Sequence, residues 1–505
     1  MAGMLYPSQR YSYFGGTMRL QLSRFIQRLL LLTVLVSPAA ALAQEIPWHQ
    51  TDFPAEEFQA RWAKLFDKIG DKAVAVLQGM PQTNGFIMPR QTNEFYYLSG
   101  IETPGSYLLL DGRRKKAILY LPPRNARLES AEGKVLSADD AELAKRLTGA
   151  DAILSTDAMK TDWLGSLEGG APREIYVLFA PPEGSEQSRY EILAADAAAA
   201  ADHWDGRIPR QTHFVDLLRT RYPRAKVSDL APILDELRGV KSPREIALIR
   251  RASQIAGMAI LEAIKTTRPG QYEYQLDAVA RYVYLVNGAK LEGYRSIIAS
   301  GTETIWNMHY FRNSGQLKAG DLVLLDYAPD YHYYVSDITR MWPVNGKYSA
   351  QQRELLGFVV QYRNEIIKRI RPGVTAAQIQ DEAKIAMEPV FARTKFSKQV
   401  YEQAARKLVE TGGGVFSHPV GMAVHDDGEY GPGPLASGHV FSIDPQLRVP
   451  EENLYIRSED VVVVTENGVE NFTEFLPADL DAVEKLMGQD GILQKVPPEP
   501  EARRK

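Results

Sequence analysis

Cysteine is absent from all 505 residues. That excludes disulfides, thiolate metal sites, cysteine nucleophiles and a lipidated N-terminal cysteine. A strong charge of one sign is missing too: the formal net charge of -4 gives no reason to expect nucleic acid or an anionic membrane as partner. The apolar run that begins at Leu29 is broken at Ser37-Pro38 and is short for a membrane span. Arg19, Arg24 and Arg28 precede it and the small-x-small site Ala41-Leu42-Ala43 follows, which is the order of a cleaved export signal rather than an anchor. Residues 1–43 are therefore expected to be a signal peptide, with 1–17, ahead of Met18, as an over-long start. The mature chain would begin near Gln44, in the periplasm or outside the cell. What is present is ordinary for a soluble globular protein: 45% hydrophobic and 24% charged residues. The length implies roughly two or three domains with ample core.

Along the chain, Phe58, Trp62, Leu65, Phe66 and Ile69 recur at helical spacing up to Gly70. Short strand-like runs follow at Ala73–Leu77, Glu94–Leu98, Tyr107–Leu110, Ala117–Leu121 and Ile175–Phe179. Helical stretches at Ala138–Leu147 and Ile192–His203 alternate with them, which predicts an α/β domain over 44–235. A second domain opens near Lys241, where Ser242-Pro243-Arg244-Glu245 combines an N-cap, a proline at the first helical position and a capping glutamate. Its first helix runs to Arg268-Pro269-Gly270 and another covers about Glu273 to Asn287. The order then repeats. Ser349 with Gln352 opens a long helix that ends at Arg371-Pro372-Gly373, Thr375 with Gln378 opens the next, and strand-like runs follow at Val440–Ile443 and Asp460–Thr465. Two half-domains related in this way, over 236–485, would build one site between them. Residues 486–505 end in the proline-rich, charged QKVPPEPEARRK and are expected to be disordered.

The stretch Gly320–Pro343, GDLVLLDYAPDYHYYVSDITRMWP, carries two aspartates, Asp326 and Asp337, in runs that resemble the arms of a β-hairpin. Leu322 to Leu325 reads as a strand covered on both faces; Ala328, Pro329 and Asp330 supply the turn, and Tyr333, Tyr334 and Val335 begin the return arm. A carboxylate inside such a run is costly to desolvate unless a cation or a donor meets it. Either the two share a cation, or one caps a turn while the other pairs with Arg340.

Further candidates are His309 in NMHYF, His418 and His425 in SHPVGMAVH, Asp444 in FSIDP and Glu459 in YIRSED. Taken singly, each is ordinary. Together, four carboxylates and a histidine split between two half-domains form an oxygen-rich ligand set that suits manganese, zinc, cobalt or iron(II). Four anions would overcharge one ion, so two bridged divalent cations fit better. Such a pair, roughly 3.5–4 Å apart, can hold a hydroxide and polarise a carbonyl.

These segments resemble the pita-bread metallopeptidases, the group of Xaa-Pro aminopeptidase, prolidase, methionine aminopeptidase and the metal-free hydrolase creatinase. The resemblance spans about Lys241 to Leu476 through DYAPDYHYYVSDITR, SHPVGMAVHD, FSIDP and IRSEDVVVVTENG. RQTNEFYYLSGIETPGSYLLL, nearer the N-terminus, resembles the first domain of the proline-directed members. The fold this implies is α+β: a C-terminal pita-bread domain of two pseudo-symmetric halves preceded by a smaller α/β creatinase-type domain. By matching motif, Asp326 holds one metal, His418 and Asp444 the other, and Asp337 and Glu459 bridge them. Manganese is the foremost choice of ion. His309 and His425 face the substrate and steady the oxyanion, Asp444 or the bridging hydroxide handles the proton, and Arg457 orients a carboxylate from behind the ligands. The implied substrate is a peptide with proline second, and the implied assembly a homodimer or larger homo-oligomer. The chain departs from the family where Asp444 replaces a usual glutamate, Ala328 and Ser417 replace glycines, and Gly414 stands where some aminopeptidases have a histidine. A non-catalytic peptide-binding relative and a creatinase-like metal-free hydrolase are the competing expectations.

Overall fold

Strand Ala73–Gln78 shows how the first half of the molecule is built. Ala73, Ala75 and Leu77 face one apolar cluster and Val74 and Val76 another, so the period of two buries both faces. The first face is covered by helix Ala55–Ile69 through Phe58, Trp62, Leu65 and Phe66. The second is covered by Trp163 and by Leu218 and Tyr222 at helix Arg210–Arg221. This strand sits inside a six-stranded mixed sheet, in the order 152–155, 116–121, 107–111, 73–78, 174–177, 226–229. In this computed structural model the residues described are 48–82, 87–426, 428 and 433–498; those from His49 onward pack as one unit. The expected signal segment and start at 1–43 lie outside the described residues. No helix among the described residues is long and apolar enough to cross a membrane.

The later part has the repeated order. Helices Pro243–Thr266 and Glu273–Val286 precede the antiparallel strands Ile297–Ser300, Leu322–Asp326 and Thr339–Pro343. Helices Ala350–Ile367, Ala376–Arg393 and Gln399–Thr411 precede a sheet of 440–443, 460–465 and 468–471 and a ribbon of 446–449 with 454–457. The three capping boxes, at Ser242/Glu245, Ser349/Gln352 and Thr375/Gln378, are all formed. The two halves are stitched where they meet: Glu459 N donates to Thr339 O at 3.1 Å, and Arg340 Nη1 donates to Glu459 O at 2.7 Å. Arg340 Nη2 also reaches Asp460 at 2.8 Å, so the pairing of Arg340 with a hairpin aspartate is not the one adopted.

Three local expectations change. Residues 93–99 form a helix, not a strand, with Gly100 closing it in the left-handed region at φ 62°. All seven residues are buried, so no polar face marks the period. The return arm of the hairpin starts at Thr339, not at Tyr333. His332 and Tyr333 take left-handed backbone, at φ 53° and 73°, and Tyr333 turns to the N-terminal segments. It stacks on Tyr96 with ring centroids 3.6 Å apart, and its hydroxyl accepts from Gln91 N at 3.0 Å. Finally, the tail expected to be disordered from 486 carries a helix, Ile492–Lys495, bonded to the end of helix Pro243–Thr266 through Leu493 N to Thr266 Oγ1 at 3.2 Å.

Trp342, on the return strand, is fully buried and donates to Thr267 Oγ1 at 2.9 Å. Trp342→Ala leaves a cavity between strand and helix and removes one of the two hydrogen bonds of the Thr267 hydroxyl, which still donates to Ala263 O at 2.7 Å. It is expected to lower stability by about 3–5 kcal/mol in urea unfolding.

Candidate metal centre

The hairpin delivers the first two carboxylates. Asp326 ends a strand in which every residue is buried, and in register it faces Thr339 on one side and Ile297 on the other. Asp337 lies in the loop just before Thr339. The stitch between the halves then brings in Glu459, whose Oε2 accepts from Thr339 Oγ1 at 3.0 Å. One oxygen from each of Asp326, Asp337 and Glu459 lies within 4.8 Å of the others. The same mutual distance holds for Asp337, His418 and His425. Asp444 belongs to neither group but lines the same cleft, of about 580 Å³, as do His309 and Tyr294.

Arg457 is buried at the centre of these acids. It donates to Asp326 Oδ2 at 2.7 Å and to Asp444 Oδ1 at 2.8 Å, and its Nη2 bonds Glu459. It therefore contacts three of the expected ligands, not one, and is not a solvated surface pair. Its own pKa is held well above the guanidinium range: burial works against the charge, and Asp444 and Glu459 overcome it.

One guanidinium does not balance four buried carboxylates. Burial pushes Asp326 up to about 7 against the pull of Arg457, with the Asp337 charge adding to the rise. Burial likewise raises Asp444, and raises Glu459 well above the carboxylate range. Asp337 is held low: burial opposes its charge, but the hydrogen bond and charge of His418 outweigh it. His418 is raised because Asp337 overcomes the effect of burial, whereas burial and His418 bring His425 down to about 4. Burial and the Arg457 charge lower His309.

The residues fit divalent cations on three observations. Glu459 Oε1 is buried without a hydrogen-bond partner among the described residues. Tyr294 has one hydroxyl proton yet approaches two carboxylate oxygens, Asp326 Oδ1 at 2.7 Å and Asp337 Oδ1 at 2.8 Å. His418 Nδ1 faces Pro419 O at 3.0 Å, so that nitrogen carries an N–H. With the ring neutral, Nε2 would meet Asp337 Oδ2 at 3.2 Å acceptor against acceptor, a contact that a proton or a cation must fill. A shared cation resolves all three; otherwise protons must.

Sequence reasoning did not find Tyr294, Tyr190 or Gln446, all of which line this cleft. Tyr190, at the start of helix Arg189–Ala201, bonds His425 Nδ1 through its hydroxyl at 2.9 Å across 235 positions of sequence. No local pattern marks such a contact.

Residues 247–466 match metallopeptidase family M24, and residues 58–176 match the N-terminal domain of aminopeptidase P. The chain is a pita-bread metallopeptidase. The Xaa-Pro aminopeptidase of Haemophilus influenzae is 28% identical to this metallopeptidase over 461 residues, covering 87% of this chain and 99% of that one. The proline aminopeptidase P II of Yersinia pestis superposes with a TM-score of 0.68 at 28% identity, over 87% and 100% of the two chains. The Escherichia coli aminopeptidase P with the inhibitor Pro-Leu gives 0.68 at 25% identity, over 87% and 99%. The family implies divalent metal, in keeping with the donors described.

The metal-free metallopeptidase should respond to pH in a defined direction. A carboxyl whose pKa is higher folded than unfolded binds more protons when folded, so stability falls as pH rises between the two values. For Asp326 the window runs from about 4 to about 7, and Asp444 and Glu459 act in the same sense. Asp337, held low, acts oppositely but only below its ordinary range; His425 and His309, also held low, oppose the fall up to about 6.5, and His418, raised, adds to it above that value. Thermal melts of the metal-free protein should therefore show Tm falling from about pH 5 to about pH 8, and Mn²⁺ added at the upper end should restore it. A metal-free Tm that rises over this interval contradicts the charge balance described.

Proposed function

We propose that this metallopeptidase hydrolyses the peptide bond between an N-terminal residue and a following proline, as an Xaa-Pro aminopeptidase or dipeptidase using two divalent metals, manganese foremost. The observation that carries the reading is the convergence of Asp326, Asp337, Glu459 and His418 around unbalanced negative charge, in a chain whose two matched segments are those of aminopeptidase P. In this reading 44–235 is the N-terminal domain and 236–485 the catalytic one. The protein is exported after cleavage near Ala43, and it works as a homodimer or larger homo-oligomer.

Asp326 would hold one ion, His418 and Asp444 the other, and Asp337 and Glu459 would serve both. When bound, the ions supply Lewis acidity and bring the pKa of a water towards neutrality. The protein residues do the rest. Arg457 keeps Asp326, Asp444 and Glu459 aimed inward and offsets part of their repulsion. Asp444, inside the cleft, takes a proton and passes it to the leaving imino nitrogen of proline. His425 is neutral at pH 7. If Tyr190 gives its proton to Nδ1, the far nitrogen carries the N–H that meets the developing oxyanion. His309, also neutral and also on the cleft, contributes a second donor.

The deciding experiment is metal analysis of the purified protein with digestion of an Xaa-Pro and non-proline peptide panel read by mass spectrometry. Release of the first residue only where proline follows, lost on chelation and regained with Mn²⁺, is the expected result. Glu459→Ala should lose metal and at least ~100-fold of activity. His425→Ala should keep its metal and lose about 10²–10³ in kcat. A protein with full metal that cuts nothing on the panel would be a binding protein instead.

A further inference from the structure

Residues 444–448 read Asp-Pro-Gln-Leu-Arg, and strand Gln446–Val449 pairs antiparallel with Leu454–Arg457. The register sets Gln446 opposite Arg457 and Arg448 opposite Tyr455. With a side-chain period of two, Gln446 and Arg448 share the face that carries Arg457, while the fully buried Leu447 takes the other. Directly opposed residues are neighbours, so Gln446 and Arg457 both reach Asp444. Arg457 gives Nε to Oδ1 and Nη2 to Oδ2, each at 2.8 Å, and Gln446 Nε2 bonds the same Oδ2.

The orientation of the Gln446 amide follows from its other neighbour. Arg448 Nη2 donates to Gln446 Oε1 at 3.1 Å. A guanidinium offers only donors, so the amide oxygen must face Arg448 and the NH₂ must face Asp444. Arg448 is itself fixed, with its guanidinium 4.5 Å from the Tyr455 ring centroid and in contact with Met308 Sδ, next to His309.

On the backbone side there is no slack. Asp444 N donates to Gly414 O, and Gln446 N to Gly413 O, both at 3.0 Å. Gly414 is left-handed at φ 76°, and a Cβ there would lie 2.1 Å from Asp444 O and 2.9 Å from Gln446 Cγ. The main chain at 444–446 is thus pressed against Gly414, which admits no side chain. The carboxylate of Asp444 is enclosed by Arg457 and Gln446.

We infer that Gln446 is a positioning residue: locked by Arg448, it fixes the aim of Asp444 and fills the room that a longer acid at 444 would occupy. The short acid, the glutamine two residues on and the bare Gly414 form one unit. Exchanging Asp444 alone for glutamate forces its carboxylate into the Gln446 amide, whereas removing Gln446 alone lets Asp444 swing. The inference rests on the proposal that Asp444 serves the metal centre and the proton.

The test compares wild type, Gln446→Met, Gln446→Gly, Asp444→Glu and the double variant Asp444→Glu/Gln446→Gly. Each is measured by Mn²⁺ calorimetry and by kcat and KM on an Xaa-Pro peptide. Gln446→Met keeps the bulk without the amide and should lower kcat about tenfold with KM within about twofold. Gln446→Gly should weaken Mn²⁺ binding in the wild-type background and strengthen it at least about fivefold in the Asp444→Glu background, a reversal of sign that loss of strand stability cannot produce. An effect of the same sign and size in both backgrounds overturns the inference, as does a Gln446→Met enzyme with unchanged kcat. If Gln446→Gly fails to fold, Gln446→Ala in both backgrounds gives the same comparison. Calorimetry needs no substrate. A wild type inert on Xaa-Pro peptides therefore defeats the substrate assignment, while the sign reversal still decides the role of Gln446.

Discussion

Arg457 holding three buried acids is the interaction on which the rest of the site depends. Its guanidinium spans Asp326 from the first half of the later domain and Asp444 and Glu459 from the second. Bringing those halves together without it would place like charges side by side in a medium that screens them poorly. With it the cluster is still short of positive charge, which is the condition of a site made for cations. Breaking such a buried network by removing one partner is generally far costlier than the network is worth against an apolar replacement. The arrangement makes sense as function, not as a source of stability.

The surroundings serve the same end. The stitch through Thr339, Arg340, Glu459 and Asp460 fixes the distance between hairpin and second half, and Arg363 adds a second cation to Asp460. Asp460, unlike its neighbour Glu459, is held below the carboxylate range because Arg340 and Arg363 outweigh its burial. Two adjacent acids, Glu459 just before strand Asp460–Thr465 and Asp460 at its first position, thus have opposite fates. Asp460 is fully neutralised by protein and ties the halves together; Glu459 keeps a buried oxygen without a hydrogen-bond partner among the described residues. The N-terminal part contributes more than cover. Arg90 reaches Asp330 at 2.7 Å, Tyr96 stacks on Tyr333, and Tyr190 enters the cleft to hold His425. The strained turn at His332 and Tyr333 is held by those contacts.

Much of this was legible in the chain. Capping boxes at Ser242, Ser349 and Thr375 are local chemistry, and each appears where its spacing places it. Asp326, at the end of a continuous apolar run, could be read as a buried acid because only apolar neighbours flank it. The helix at 93–99 was not legible, since a short run buried all round has no face to reveal its period. Nor was the return arm: Tyr333 to Val335 look like strand residues, but Tyr333 is spent on Gln91 and Glu102, more than two hundred positions away, Tyr334 on Glu245 and Val335 on Gly421. The part of the tail in helix Ile492–Lys495 looked too polar to pack, yet Gln494 and the backbone of Leu493 find partners at Thr266 that composition does not record.

By itself the sequence determined the order of elements, the repeated helix and strand pattern, the absence of thiol chemistry and the acids and histidines from which the centre is assembled. Those are properties of neighbours along the chain, and periodicity, capping and desolvation cost act over a few residues. Only the tertiary structure decided that Arg457 sits at the centre and not behind it, that Tyr294 and Tyr190 belong to the cleft, and that Gln446 rather than Gly414 reaches towards Asp444. Each of these depends on which strand lies opposite which, and on how close two main chains come. That is settled when the halves pack, by register and by volume, and no local stretch encodes it.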